Sequence, residues 1–131
     1  MRPLSILVAD DNEDIRTLIE RCLTKVGHTV TSASTGEEAL EMLQKGSIDL
    51  LITDMLMPDG DGLNVIMGLK KINSPVRILV ISGGGRHFQS ADCVDVAKTL
   101  GAHAALFKPF EQVALHEAVL RAMPHEAAVV S

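Results

Sequence analysis

Short runs rich in apolar and β-branched residues recur along the chain at Leu4–Ala9, His28–Ala33, Asp49–Thr53, Val76–Ile81 and Ala104–Phe107. Ile6-Leu7-Val8-Ala9 is apolar throughout, as expected of a strand covered on both faces. Between these runs the apolar period changes to that of a helix. Ile15, Leu18, Ile19, Cys22, Leu23 and Val26 form one stripe, and Ala39, Leu40 and Leu43 a second. Leu63, Ile66 and Leu69 form a third. Cys93, Val96, Ala97 and Leu100 predict a further helix near Ser90–Leu100, and Leu115, Val119 and Ala122 predict a last one from about Glu111 to Met123.

Turn and cap signals separate these elements. Glu13 and Asp14 suit the first turn of the first helix, where the dipole favours acids, and Gly27 suits its end. Thr35-Gly36-Glu37-Glu38 fits a capping box, Gly46 and Gly101 close later helices, and Asn73-Ser74-Pro75 breaks the chain before the fourth strand. Gly68 weakens its own helix by up to about 1 kcal/mol relative to Ala. Five strand–helix alternations predict a parallel sheet with helices on both faces. Right-handed crossovers then favour a flavodoxin-like (βα)5 doubly wound α/β fold with strand order 2-1-3-4-5. One domain over 1–123 and a short frayed tail over 124–131 are expected, with no output domain.

Composition narrows the function classes. The chain has 131 residues, 47% hydrophobic, with a net charge of −5, which is enough apolar content for one continuous core. The acidic balance and the lack of a Lys/Arg cluster argue against nucleic-acid or anionic-membrane partners. No apolar run approaches the roughly 20 residues of a membrane span, and Met1–Ser5 lacks a signal-peptide layout, so a cytoplasmic location is expected. Cys22 and Cys93 belong to no C-x-x-C pair and are read as buried reduced thiols. The five histidines show no metal-binding spacing; His87 and His103 are read as solvated.

The candidate chemistry lies where the apolar runs stop. The first ends in Asp10-Asp11, the third in Asp54, the fourth in Ser82 and the fifth in Lys108-Pro109. In an open parallel sheet these five side chains gather at the carboxyl edge, where ligands bind. Two like charges about 4 Å apart near a surface cost on the order of 4 kcal/mol, so three carboxylates there invite a hard divalent cation such as Mg²⁺. A hydroxyl and an ammonium beside that cation suit a phosphoryl group. The bland alternatives are that Asp10-Asp11 simply cap the first helix, that Asp54 is a solvated acid, and that Ser82 opens a turn before the Gly83-Gly84-Gly85 run.

The ordered set of Asp10-Asp11, Asp54-Met55-Leu56-Met57-Pro58, Asp61-Gly62, Ser82, Gly101-Ala102 and Lys108-Pro109-Phe110 resembles the receiver domain of bacterial two-component response regulators, from Leu4 to Met123. The resemblance implies that Asp54 accepts a phosphoryl group. It implies Mg²⁺ held by Asp11, Asp54 and the backbone carbonyl of Leu56, with Asp10 helping through water. Lys108 would contact a phosphoryl oxygen. Ser82 would swing towards phosphorylated Asp54, joined by the amide of Gly83. A cis bond between Lys108 and Pro109 is also implied. The expected partners are a sensor histidine kinase or histidine phosphotransfer protein as donor, and a downstream protein target in trans or a second copy of the chain. The protein would be no enzyme beyond its own phosphorylation and dephosphorylation.

The chain departs from that pattern in places. Ala105 stands where receivers commonly carry an aromatic, leaving Phe88 as a candidate substitute in the switch. Leu56 and Gly84 cannot orient a hydrolytic water, so a slowly decaying acyl phosphate is expected. Two other classes compete. A Mg²⁺-dependent aspartyl phosphatase of the haloacid dehalogenase type would need an Asp-x-Asp motif after the first strand, and Asp10-Asp11-Asn12 does not supply it. A phosphorylation-independent binding module gains support from Ala105 and loses it from the intact acidic site.

Overall fold

The computed structural model describes residues 2–55, 62–72, 74–83, 99 and 101–124. The five strands are β1 (Ser5–Ala9), β2 (Thr29–Ala33), β3 (Leu50–Asp54), β4 (Arg77–Gly83) and β5 (Ala104–Lys108). Among the described residues there are four helices: α1 (Glu13–Lys25), α2 (Gly36–Lys45), α3 (Gly62–Lys71) and α4 (Gln112–Ala122). All strand pairs are parallel, in the order β2-β1-β3-β4-β5. The expected doubly wound, flavodoxin-like topology is therefore the observed one. Of the helix predicted near Ser90–Leu100 only Thr99 is described, and it is helical; Cys93 and Phe88 lie outside the described residues.

Strand periodicity explains how one sheet feeds two cores. Side chains alternate between faces. Ile6, Val8, Leu50, Ile52, Leu79 and Ile81 meet Ile19, Cys22 and Leu23 of α1 and Leu115, Ala118, Val119 and Ala122 of α4. Leu7, Leu51, Ile78 and Val80 on the other face meet Ala39 of α2 and Val65, Ile66 and Leu69 of α3. Each fully buried Leu or Ile contributes about 1.5–3 kcal/mol. The central strands β1 and β3 are buried along their length from Ile6 to Ala9 and from Leu50 to Asp54.

Several details differ from the sequence expectation. β4 runs on through Ser82 and Gly83, because β5 supplies pairing partners Phe107 and Lys108 at that level. Ser82 and Lys108 thus lie in strands rather than after them. Leu18 and Val26 belong to the apolar stripe of α1 by spacing, yet they are 39% and 57% exposed. Asn12, not Asp10 or Asp11, caps α1: its side chain accepts from the amides of Asp14 and Ile15. The capping box at α2 is split. Thr35 Oγ1 accepts from Glu38 N–H as expected, but Glu38 Oε1 returns to the amide of Ser34 at 2.8 Å. The glycine in α3 has a packing reason, since a Cβ on Gly68 would stand 3.2 Å from Leu40 Cδ2 of α2. Gly101, at φ +124°, is covered by the aliphatic stem of Lys70 and has no room for a side chain. The Lys108–Pro109 bond is cis, as the resemblance implied. No helix among the described residues is long and apolar enough to cross a membrane.

Two histidines tie the strands together at the edge remote from Asp54. His28 Nδ1 accepts from the amide of Leu4 at 3.0 Å, and His103 Nδ1 accepts from the amide of Ile78 at 2.9 Å. His103, read from the sequence as solvated, is exposed as a residue, yet its ring is engaged through Nδ1. Burial lowers the pKa of both imidazoles, helped by His116 at His28 and by Arg77 and Lys70 at His103. A depressed histidine pKa favours the neutral folded form. Its stabilising contribution is complete above the unfolded value near 6.5 and is lost as pH falls through the folded value. Thermal melts should therefore show Tm falling from pH 7.5 to pH 5. The double variant His28→Asn/His103→Asn, whose amide oxygens keep an acceptor in place, should show a shallower fall. An equally steep fall in that variant would rule the histidines out as the cause.

Candidate functional site

The face of the sheet that carries Ile6, Leu50 and Ile81 also carries the acidic cluster. Asp10 continues the parity of Ile6 and Val8, Asp54 that of Leu50 and Ile52, and Lys108 that of Ala104 and Leu106. All three therefore emerge on one side of the carboxyl edge, and they meet. Lys108 Nζ lies 3.0 Å from Asp10 Oδ2 and 3.0 Å from Asp54 Oδ2. Asp11, exposed just beyond β1, completes the group: the three carboxylates each offer an oxygen within 4.8 Å of the others. Ser82 is only 2% exposed and lies on β4, one residue beyond Ile81, the register partner of Asp54. The backbone of Gly83 pairs with Lys108. Leu56 lies outside the described residues.

Burial sets the electrostatics. Asp10 is fully buried, and Asp54 is 8% exposed. Burial raises the pKa of Asp10. The Asn12 amide and the Lys108 hydrogen bond oppose that rise, and the Asp54 charge adds to it. Burial pulls Lys108 down, but its hydrogen bonds to Asp54 and Asp10 outweigh this and leave its pKa raised. The two directions are compatible. The ammonium keeps some solvent contact and gains two anionic partners, while Asp10 has none of that solvent and has a second carboxylate beside it. Below Asp54, the buried hydroxyl of Thr53 donates to the Asp54 carbonyl at 3.1 Å, and the Met55 amide donates to Ile81 O at 3.0 Å. These contacts hold the end of β3 against β4.

The donor set suits a hard divalent cation. It consists of carboxylate oxygens only, without sulfur or imidazole, and its repulsion is only partly offset by one ammonium. The structure thus brings together Asp10, Asp11, Asp54 and Lys108, and places Ser82 and Gly83 on the strand between β3 and β5. Sequence reasoning passed over Asn12 as the cap and Arg16, whose Nη1 donates to the Asp10 carbonyl at 2.7 Å. The only signal for Arg16 was its position one helical turn past the acids, on the same helix end.

Since burial and repulsion both oppose the Asp10 charge, Asp10→Asn should raise Tm by a few degrees at pH 7.5 in EDTA. The amide oxygen still accepts from the Asn12 N–H, while the Lys108 hydrogen bond at Oδ2 is lost together with the charge. An unchanged or lower Tm would mean that the attraction to Lys108 exceeds the cost of burial.

Comparison with known proteins bears on what this site belongs to. The family model for the response regulator receiver domain matches residues 6–120. Sporulation initiation phosphotransferase F of Bacillus subtilis is 30% identical over 119 residues, covering 91% of this chain and 93% of that protein. The DNA-binding transcriptional regulator NtrC of Azospirillum brasilense is 35% identical over 123 residues, 94% of this chain, which spans only 25% of that protein. Among solved structures, chemotaxis protein CheY4 of Vibrio cholerae superposes with a TM-score of 0.83 at 27% identity, covering 93% of this chain and 100% of that one. With its sheet order, its strand-end acids and this match over most of its length, the chain belongs to the response regulator receiver domain family of two-component systems.

Proposed function

We propose that the chain is a phosphoacceptor switch in which Asp54 takes a phosphoryl group from a phosphohistidine on a sensor histidine kinase or a histidine phosphotransfer protein. The observation that carries this reading is the Lys108 ammonium shared by Asp10 and Asp54, with Asp11 in the same cluster. An isolated carboxylate repels a phosphate. One set between a lysine and a cation-holding acid pair does not.

In this reading Asp10 and Asp11 hold Mg²⁺ together with Asp54 and the Leu56 carbonyl. The bound cation neutralises charge on the phosphoryl oxygens. A carboxylate oxygen of Asp54 then bonds to phosphorus as the P–N bond of the donor breaks. The electron pair of that bond stays on the imidazole nitrogen, which departs as neutral imidazole once protonated. Lys108 exchanges a carboxylate oxygen for a phosphoryl oxygen without leaving the site. Ser82, buried beside the end of β3, turns its hydroxyl to the new acyl phosphate, and the Gly83 amide donates next to it. Their movement alters the surface around β4, β5 and α4, biasing a two-state equilibrium read by a protein target in trans or by a second copy of the chain. Ala105, half-buried on β5, transmits this change without an aromatic rotamer. A cytoplasmic setting accompanies this reading, because phosphohistidine donors of this class work there.

Intact-mass spectrometry after incubation with acetyl phosphate or phosphoramidate tests the reading. One added phosphoryl group is expected in Mg²⁺ and none in EDTA or in Asp54→Asn. Absence of an adduct on folded protein would leave a phosphorylation-independent module. Steady phosphate release without an adduct would point instead to a phosphatase. Because Leu56 and Gly84 offer no polar side chain to orient water, the adduct should persist for many minutes in Mg²⁺ buffer. Decay within seconds would show that another group activates the water.

A further inference from the structure

We infer that Arg16 is a positioning residue that aims Asp11 at the cation site by fixing the plane of the peptide between Asp10 and Asp11. This rests on the reading of the acidic cluster as the cation-holding half of the phosphoacceptor site. Arg16 Nη1 donates to the Asp10 carbonyl oxygen at 2.7 Å. That oxygen and the Asp11 N–H belong to one rigid planar unit, so holding the oxygen sets the direction in which Asp11 leaves the backbone.

The rest of the turn is pinned on either side of Asp11. The Asp10 amide donates to Ala33 O at 3.2 Å, and its carboxylate is held by the Asn12 amide and Lys108. Asn12 is fixed as the cap of α1, and its carbonyl receives the Arg16 amide at 3.1 Å. Asp11 stands between these anchors. It is exposed, and among the described residues no hydrogen bond or ion pair holds its carboxylate. Its aim therefore depends on the backbone, and Arg16 grips the Asp10 carbonyl oxygen, for which no strand or cap bond competes. Being on α1, Arg16 also ties that aim to the helix rather than to the loop.

Charge alone predicts the reverse. A guanidinium beside an acidic cluster repels a cation, so removing it would tighten binding. The two accounts thus differ in sign. The test measures Mn²⁺ binding by the loss of the free-ion electron paramagnetic resonance signal, with Mg²⁺ as competitor, on the full chain. Arg16→Lys keeps the charge but loses the planar fork, and Arg16→Met keeps the stem but loses both. Each should bind Mn²⁺ roughly tenfold more weakly than the unaltered protein, as for other residues that orient metal ligands. Circular dichroism at the same temperature should stay unchanged. Arg16→Met binding as tightly as the unaltered chain, or more tightly, would overturn the inference. So would a lowered Tm in both variants with unchanged Mn²⁺ affinity, since that marks a role in stability only. If Arg16→Met does not fold, Arg16→Lys decides alone by the same criterion. Failure of the underlying reading has a different signature: no saturable Mn²⁺ binding by the unaltered chain, or Asp11→Asn binding as tightly as it. Either result would sink the inference along with that reading.

Discussion

The Lys108 ammonium, shared at 3.0 Å by Asp10 and Asp54, is the contact on which the carboxyl edge of the sheet depends. Two carboxylates this close and this buried repel one another, and the shared ammonium offsets that repulsion. The lysine comes from β5, two positions from β3 in the sheet. At a strand spacing of about 4.8 Å the gap is roughly 10 Å, beyond a short side chain. Only a long, flexible cation crosses it. β4 lies in between, with Ile81 in register with Asp54 and Gly83 in register with Lys108. A salt bridge between residues far apart in sequence thus rests on the register of β3, β4 and β5.

Topology decides where this charge collects. Strand order reverses direction between β1 and β3, so α1 packs on one face and α3 on the other. The chain leaves the two strands in opposite directions and opens a crevice between them. Asp10 and Asp54 stand at its two walls. The apolar strands behind them, fully buried from Ile6 and from Leu50, supply the stability that offsets an unfavourable cluster at their tips. An unfavourable cluster at the tips is tolerated because β1 from Ile6 and β3 from Leu50 are buried along both faces.

Strand and helix order, the sheet topology and the gathering of Asp10, Asp11, Asp54 and Lys108 were legible in the sequence. They follow from period and position, which are local properties. What depended on pairing was less legible. β4 was expected to stop at Ile81, because Ser82-Gly83 reads as the start of a turn. Its extension follows from partners on β5 that no local pattern around Ser82 reveals. His103 was read as solvated, yet its Nδ1 receives the amide of Ile78, a residue 25 positions away. Leu18 and Val26 fit the apolar stripe of α1 by spacing and are still exposed; Val26 is the C-cap, past the last helical residue.

The identity of the α1 cap shows how much one position matters. Asp10, Asp11 and Asn12 are all good capping residues, and spacing alone does not choose between them. The choice is made by where β1 stops pairing. Ala9 is still in register with Ala33, and the Asp10 amide still bonds to Ala33 O. The chain needs two further residues to turn, so the helix opens at Glu13 and Asn12 takes the cap. A helix starting one residue earlier would draw the Asp11 side chain onto its own first-turn amides and remove it from the acidic cluster. The neutral amide of Asn12 satisfies those donors instead. Both acids stay available at the sheet edge, and the cap adds no further negative charge to a site that already holds three carboxylates.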